Sequence, residues 1–167
     1  LTQSNFGEDW EDKPNGGGIP VNSELEYSII KENAKPMLVR TYSGTKNVPE
    51  LAEIHERSLN ISWHALSFWW FNELDGRGKN ELLENLREHF EAVRYIVTTG
   101  KPVEPNVPHH FAFRGADDVT YIVSGFLVSK ALKQLGVKHM ILQNMLNTPK
   151  YTIGIQDLAK GRVMIKL

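Results

Sequence analysis

The ends of four strand-like runs carry side chains that can bind an anion or move a proton. The first run ends with Arg40 and Tyr42, and the second carries His64. The third carries His110 and is followed by Arg114, and the fourth ends with Asn144. Arginine offers a planar fork to a carboxylate, whereas histidine and tyrosine can donate or shuttle a proton. The set predicts a pocket for a small anionic substrate. In it, the two histidines are the catalytic candidates and the other four residues are the substrate-binding candidates.

The runs span residues 36–42, 59–65, 107–113 and 138–144, and helix-like stretches follow most of them. A strand, a crossover helix and a parallel neighbouring strand form the βαβ unit, so the alternation predicts an α/β fold with a parallel sheet. We expect four strands in sequential order with helices on one side. Because a TIM-type barrel has eight such units in roughly 250 residues, this chain should form about half of one, with the carboxyl ends of its strands facing the substrate.

Capping residues predict where two helices begin in the first third of the chain. Ser23 and Glu26 form a capping-box pattern, and the helix that they begin should reach Asn33. Asn47 and Pro49 mark the start of a second helix, since proline is favoured in the first turn. Before these helices, the glycine-rich and acidic residues 1–22 read as a loop-rich N-terminal segment.

Two longer helices are predicted in the rest of the chain. Apolar residues at helical spacing indicate a third helix from near Asn80 to Gly100, and acidic residues at 117 and 118 start a fourth, which ends before Gly136. The expected buried stripe of the fourth helix is Val119, Ile122, Val123, Phe126 and Leu127. We interpret residues 1–167 as a single partial β/α-barrel domain.

Composition excludes several function classes. The net charge of -1 over 167 residues gives no electrostatic footprint for nucleic acid or an anionic membrane, and no apolar run approaches the roughly 20 residues of a membrane span. Zero cysteines exclude disulfides and fit a cytoplasmic location. The chain begins without Met and stops inside an apolar run, so we expect part of a longer polypeptide or one subunit of a split barrel.

Several candidates have a plainer interpretation. The aromatic residues from Trp63 to Phe71 fit core or interface positions, because large aromatic side chains usually bury area. No metal site is predicted, since His109 and His110 lack an accompanying His-Glu-x-x-His or carboxylate pattern. Arg40 could form a structural ion pair with a carboxylate on a neighbouring strand instead of binding substrate. Both roles of Arg40 stay open at this stage.

Two stretches carry a family resemblance. Residues 37–45, Met-Leu-Val-Arg-Thr-Tyr-Ser-Gly-Thr, are followed by Pro-Glu-Leu-Ala-Glu-Ile at 49–54. Residues 135–143, Leu-Gly-Val-Lys-His-Met-Ile-Leu-Gln, are followed by Ile-Gln-Asp-Leu-Ala at 155–159. In order and approximate spacing they resemble the large (epsilon) subunit of adenosylcobalamin-dependent glutamate mutase, also called methylaspartate mutase, over most of residues 15 to 160.

The resemblance implies a barrel whose mouth is capped by adenosylcobalamin, and an isomerase that performs a radical rearrangement of the carbon skeleton of a small carboxylate substrate. The family's cobalamin-binding signature, Asp-x-His-x-x-Gly, is absent. A separate cobalamin-binding domain or subunit would therefore bring the cofactor. The remaining half of the barrel would come from a partner or from self-association.

Two other functions remain open from the sequence, because one fold hosts many activities. One is a cofactor-independent barrel lyase or isomerase in which His64 or His110 is the general base. The other is a noncatalytic half-barrel fragment that pairs with a partner.

Overall fold

Among the residues that the structure describes, five short parallel strands form one sheet. The structure, a computed structural model, describes residues 2–4, 19–21, 23–35, 37–42, 47–59, 61–69, 79–106, 118–144 and 153–167. The strands are β1 (Thr2–Ser4), β2 (Ile19–Val21), β3 (Val39–Tyr42), β4 (Ser62–Leu66) and β5 (Val103–Pro105). Their order in the sheet is β2-β1-β3-β4-β5, and every pairing is parallel.

Capping and turn residues set the bounds of the helices. Within the described ranges they are α1 (Glu24–Asn33), α2 (Val48–Ser58), α3 (Leu82–Thr99), which follows a 3-10 turn, α4 (Asp118–Gln134) and α5 (Gly154–Met164). The Ser23 hydroxyl accepts the Glu26 N–H at 3.3 Å and starts α1. At the C-terminal end of α3, Gly100 takes a φ of 73°, a left-handed conformation that glycine adopts without strain.

All the crossover helices pack on one side of the sheet. The path β3-α2-β4-α3-β5 moves in one direction across the sheet, and right-handed crossovers then place α2 and α3 on the same face. Strand alternation puts Val39, His64, Leu66 and Val103 on that side, which we call the helix face. Arg40, Tyr42, Trp63, Ala65 and Glu104 are on the opposite side, the arginine face.

Two apolar clusters attach the helices to the helix face. The larger cluster joins Leu66 and Val103 of the sheet to side chains of α2, α3 and α4, including Val93 and Val128. The smaller one joins Val39 to α1 and α2 through Tyr27 and others. Burial of these side chains away from water is the main force that holds the layers together. Neither cluster contains a residue of the arginine face.

The predicted α/β fold with parallel β/α units is confirmed. The expected four strands in sequential order are not found, because the sheet has five described strands in the order β2-β1-β3-β4-β5. The first predicted run, 36–42, contains β3 at its end. The second, 59–65, corresponds to β4, which begins three residues later and ends one residue later. The run at 107–113 lies outside the described residues, and the strand beside β4 is instead β5, which precedes it. The fourth run contributes a parallel bridge between Met140 and Val103 rather than a strand.

The N-terminal segment differs from its prediction as a loop, because β1 and β2 fall within residues 1–22. Both are only three residues long, so the alternation from which strands are recognised has no room to develop. Among the described residues, no helix combines the length and apolar character needed to cross a membrane.

The predicted buried stripe of α4 was wrong. The helix turns a mixed face toward the core, consisting of Tyr121, Ser124, Gly125, Val128 and Leu132. Four members of the predicted stripe, Val119, Val123, Phe126 and Leu127, are each about half exposed or more. Both faces of α4 are apolar, so periodicity alone could not decide which one packs on the sheet.

Substitutions on the two faces of α4 test this orientation. Leu132→Ala should lower the free energy of unfolding by about 2–5 kcal/mol, because Leu132 is 1% exposed and a cavity would replace it. The matched change Leu127→Ala, at 52% exposure, should cost less than about 0.5 kcal/mol. Urea denaturation of dilute protein measures both, and a reversed ranking would restore the orientation predicted from the sequence.

Candidate functional site

An ion pair with two parallel hydrogen bonds occupies the arginine face. Arg40 Nε donates to Glu104 Oε2 at 2.6 Å, and Arg40 Nη2 donates to Glu104 Oε1 at 2.5 Å. Trp63 Nε1 also donates to Glu104 Oε2, at 2.6 Å. Glu104 is fully buried and Arg40 is 18% exposed. Three N–H donors therefore compensate the charge of a carboxylate that water does not reach.

The register of the sheet explains how residues on β3 and β5 can meet. Arg40 pairs in register with Trp63, and Glu104 with Ala65. β4 therefore lies between the two ionic residues, with Trp63 and Ala65 on their side of the sheet. Because Ala65 has only a methyl side chain, the arginine and the carboxylate can reach each other diagonally above it. Tyr42 lies on the same face, level with Ala65.

Glu104 is a site residue that the sequence analysis missed. The available signal was a single acidic residue in the run Lys101-Pro-Val-Glu-Pro105, where two prolines bracket Val103 and Glu104. Proline restricts a strand to short or edge positions, so this run was not recognised as one. The structural ion pair considered for Arg40 is present, but its carboxylate comes from the second strand along rather than from the adjacent strand.

A conservative substitution tests how much the Arg40 fork stabilises the fold. Arg40→Lys keeps the charge but loses the planar pair of donors, so the free energy of unfolding should fall by about 1–3 kcal/mol. Arg87→Lys is the control, because Arg87 pairs with Glu84 at the same 2.5 Å but on the exposed surface of α3. Denaturation curves that show equal losses for the two variants would contradict a structural role for the Arg40 pair.

A second polar network lies on the helix face, beneath α2. His64 Nε2 donates to Glu56 Oε1 at 2.5 Å, and Lys101 Nζ donates to Glu56 Oε2 at 2.9 Å. The same ammonium group donates to the Ser62 hydroxyl at 3.1 Å. Burial disfavours the charged form of Glu56, but the hydrogen bonds from His64 and Lys101 outweigh it and hold the pKa of this carboxyl below its usual value.

The network continues toward α1 through a second histidine. The rings of His55 and His64 lie 5.7 Å apart, and His55 Nε2 forms a short hydrogen bond with the hydroxyl of Tyr27. Burial, with the nearby charges of His64 and Lys101, lowers the pKa of His55 to about 3, so its ring is neutral at ordinary pH. Burial, with Glu26 adding to it, raises the pKa of Tyr27.

The lowered pKa of His55 predicts how stability depends on pH. The unfolded chain binds a proton at His55 below about pH 6.5, whereas the native chain does not until about pH 3, so the free energy of unfolding should fall as the pH drops through this range. Glu56 lowers the free energy of unfolding further below about pH 4.5, its ordinary pKa. The reason is that the unfolded chain takes up a proton at this carboxyl before the native chain does.

The variant His55→Gln separates the two contributions. Glutamine does not titrate and can accept the Tyr27 hydrogen bond, so the profile should flatten between pH 6.5 and 4.5 and keep its decline at lower pH. The exposed His139 provides the control, His139→Gln, which should keep the wild-type profile. Equilibrium denaturation at a series of pH values measures this, and an unchanged slope in His55→Gln would refute the assignment.

A strained turn follows β4. Phe68 has a φ of 49°, an uncommon left-handed conformation for an aromatic residue, and is fully buried. Asn85 Nδ2 donates to the Phe68 carbonyl at 2.6 Å. His89 Nδ1 donates to the carbonyl of Asn85 at 2.8 Å, which leaves its Nε2 to accept the Ser67 hydroxyl at 3.2 Å. Since Ser67 and His89 are fully buried, this serine–histidine pair fixes the turn on α3.

The structure separates the predicted site residues. Arg40 and Tyr42 share the arginine face, whereas His64 pairs in register with Thr41 and faces the helices. It therefore does not share a surface with Arg40. Asn144 Nδ2 donates to the carbonyl of Asp157 at 3.0 Å and connects the chain after the Met140 bridge to α5.

Packing explains why Asn144 meets α5 at a glycine. A side-chain carbon placed on Gly161 would lie 2.2 Å from Asn144 Nδ2, closer than any real contact, so only glycine allows this approach. The other two predicted residues, His110 and Arg114, lie outside the described residues.

Comparisons with protein-family models, curated proteins and solved structures find no match to this chain. Within the part of the chain that the structure describes, no three His, Cys, Asp or Glu side chains are grouped so that they could hold a metal ion. The candidate site combines a fixed guanidinium, a buried carboxylate, an indole and a phenol on one face of a parallel sheet.

Proposed function

We propose that this chain is a mutase-type isomerase subunit, similar to the large subunit of adenosylcobalamin-dependent glutamate mutase, and that its arginine face lines the pocket for a small carboxylate substrate. The observation that carries the proposal is the one-sided layering of the sheet. Its helices cover the helix face, whereas the Arg40–Glu104 ion pair, Trp63 and Tyr42 lie on the other. In a barrel wall the helices are outside, and the opposite face lines the interior.

The family-like segments support this proposal through the elements that they occupy. Residues 37–45 include β3, and residues 49–54 lie within α2. Residues 135–143 include the bridge at Met140, and residues 155–159 lie within α5. The resemblance expects strand, helix, strand and helix at these positions, and the third of them is a single parallel bridge here. On this proposal the missing β/α units of the barrel come from a partner or from further chain.

Arg40 is the proposed anchor for the substrate carboxylate. Its guanidinium forms two parallel hydrogen bonds with Glu104, and this ion pair fixes the plane of the group before substrate arrives. A preorganised donor binds a carboxylate at less entropic cost than a freely rotating one. Trp63 and Tyr42 complete a wall that can exclude water from a reactive intermediate.

The described residues do not fit the role of lower ligand to the cobalt of a cobalamin. Among the described histidines, His55, His64 and His89 are each fully buried and hydrogen-bonded. The fourth, His139, is exposed, but Val137 and Leu142 stand where the family signature Asp-x-His-x-x-Gly has its Asp and Gly. When bound, adenosylcobalamin would supply the radical chemistry. On this proposal a separate domain or subunit brings the cofactor and its ligand, and the residues described here bind and orient the substrate.

Reconstitution with a cobalamin-binding partner subunit tests the function. We expect the visible absorbance of adenosylcobalamin to change only when chain, partner and a small dicarboxylate are all present, with an isomerised product detectable by NMR. Arg40→Lys should weaken carboxylate binding, measured by calorimetry, by about 1–3 kcal/mol, whereas the surface control Arg87→Lys should not.

Two results would contradict the proposal. If dicarboxylates bind equally well to wild type, to Arg40→Lys and to Arg114→Lys, the anionic-substrate pocket is wrong. If the complex binds a carboxylate but leaves the cobalamin absorbance and the ligand unchanged, the chain is a barrel protein without mutase activity.

A further inference from the structure

α1 is held to the rest of the protein mainly by one buried side chain. The structure describes this helix in full, and Tyr27 is its only buried residue, whereas Leu25 and Ile29 are 72% and 55% exposed. The ring of Tyr27 packs in the smaller apolar cluster, and its hydroxyl forms a short hydrogen bond with Nε2 of His55 on α2. An outer helix with few buried contacts is the kind of element that detaches while the remaining core stays folded.

α2 is attached more firmly, and α1 covers its histidine. Val48 and Ala52 of α2 belong to the larger apolar cluster, which no residue of α1 enters. The rings of Tyr27 and His55 meet edge to face, with centroids 4.9 Å apart. Departure of α1 would therefore leave α2 on the sheet and open His55 to water.

The groups that face His55 from the sheet oppose a positive charge on its ring. His55 is fully buried, and His64 on β4 and Lys101 just before β5 both add to the free energy needed to charge it. Glu56, the carboxylate of this network, already bonds to His64 through one oxygen and to Lys101 through the other. Its negative charge is therefore matched by other groups.

The side of His55 toward α1 does not stabilise a charged ring either. Burial, with Glu26 adding to it, raises the pKa of Tyr27, so this hydroxyl stays neutral. Within the described ranges, Nδ1 of His55 is buried and has no hydrogen-bond partner. Because an imidazolium carries N–H on both nitrogens, protonation in place would bury a donor that has no acceptor.

We propose that protonation of His55 releases α1 while α2, α3 and the sheet stay folded, so that the Tyr27–His55 contact acts as an acid-sensitive attachment. Release uncovers the apolar side chains that Tyr27 packs against, Val39 on β3 and Leu51 and Ile54 on α2. Acid therefore exposes a surface that is closed at neutral pH. The proposal is independent of the enzymatic function, since all these groups lie on the helix face.

Proton linkage sets the size of the effect. With α1 released, His55 is in water and has its ordinary pKa of 6.5, whereas with α1 attached burial lowers the pKa to about 3. The released state therefore binds the additional proton. As the pH falls below about 6.5, the equilibrium constant for release should rise about tenfold for each pH unit.

Hydrogen exchange of the full chain, followed by mass spectrometry between about pH 7 and pH 5, tests the release. After correction for the intrinsic exchange rate at each pH, the protection of the α1 amides should fall about tenfold between pH 6 and pH 5. At every pH these amides should be less protected than those of α3, which is fixed in the larger cluster. Carboxylates stay ionised in this range, so ion pairs do not cause the change.

Three variants separate the proton from the packing. His55→Gln can accept the Tyr27 hydrogen bond but does not titrate, so the protection of α1 should become independent of pH. His139→Gln, at an exposed position, is the matched control and should keep the tenfold fall. Tyr27→Phe keeps the ring and loses the hydroxyl, so it should lower the protection of α1 severalfold at each pH and leave that of α3 unchanged. Circular dichroism checks that each variant is folded.

Four results would overturn the proposal. The first is protection of α1 equal to that of α3 at every pH, which would mean that α1 leaves only when the whole protein unfolds. The second is protection of α1 that stays constant between pH 6 and pH 5. The third is a pH dependence that persists in His55→Gln, and the fourth is a Tyr27→Phe chain in which α3 loses as much protection as α1.

Discussion

The right-handed crossover between parallel strands is the constraint on which the rest of this structure depends. Because β3, β4 and β5 follow one another in one direction across the sheet, their connecting helices have to pack on the same face. Apolar side chains of Val39, Leu66 and Val103 then meet the helices. The alternate side chains of the same strands are directed to the other side, where Arg40 and Glu104 can pair.

Charge is buried on both faces of the sheet, and it is neutralised in different ways. On the arginine face, one carboxylate meets one guanidinium and an indole N–H. On the helix face, Glu56 shares its charge with a lysine and a histidine that come from two different elements. Each arrangement connects residues far apart in sequence, so each stabilises the order of the strands as well as their contacts.

Local signals in the sequence predicted the parts of the fold that local physics decides. The Ser23 cap, the start of α2 near Asn47 and Pro49, and Gly100 at the end of α3 are confirmed, because capping depends on residues within one turn. The short strand β5 and the orientation of α4 were not predicted correctly. They are decided by which neighbour is available in three dimensions, and a single sequence does not contain that information directly.

The candidate site was predictable only in part, for the same reason. Arg40 and Tyr42 were selected because they stand at the end of the first strand-like run, and alternation along β3 places both on the arginine face. The face that His64 turns to depends on the register of β4 against β3, in which His64 pairs with Thr41 on the helix face. Glu104 was missed because its partner is 64 residues away in sequence, beyond the reach of any local pattern.

The turn at Phe68 is subject to two opposing demands. Its left-handed backbone would be relieved by glycine, the residue for which that conformation has no steric cost. Its ring, however, lies against Trp69, His89 and Phe90, with centroids 5.3–6.1 Å away, so glycine would leave an empty space in the main core. No amino acid satisfies both the backbone and the packing. Phe68 is therefore a compromise in which the core outweighs the backbone, and it makes the end of β4 a place where the chain has very little freedom to vary.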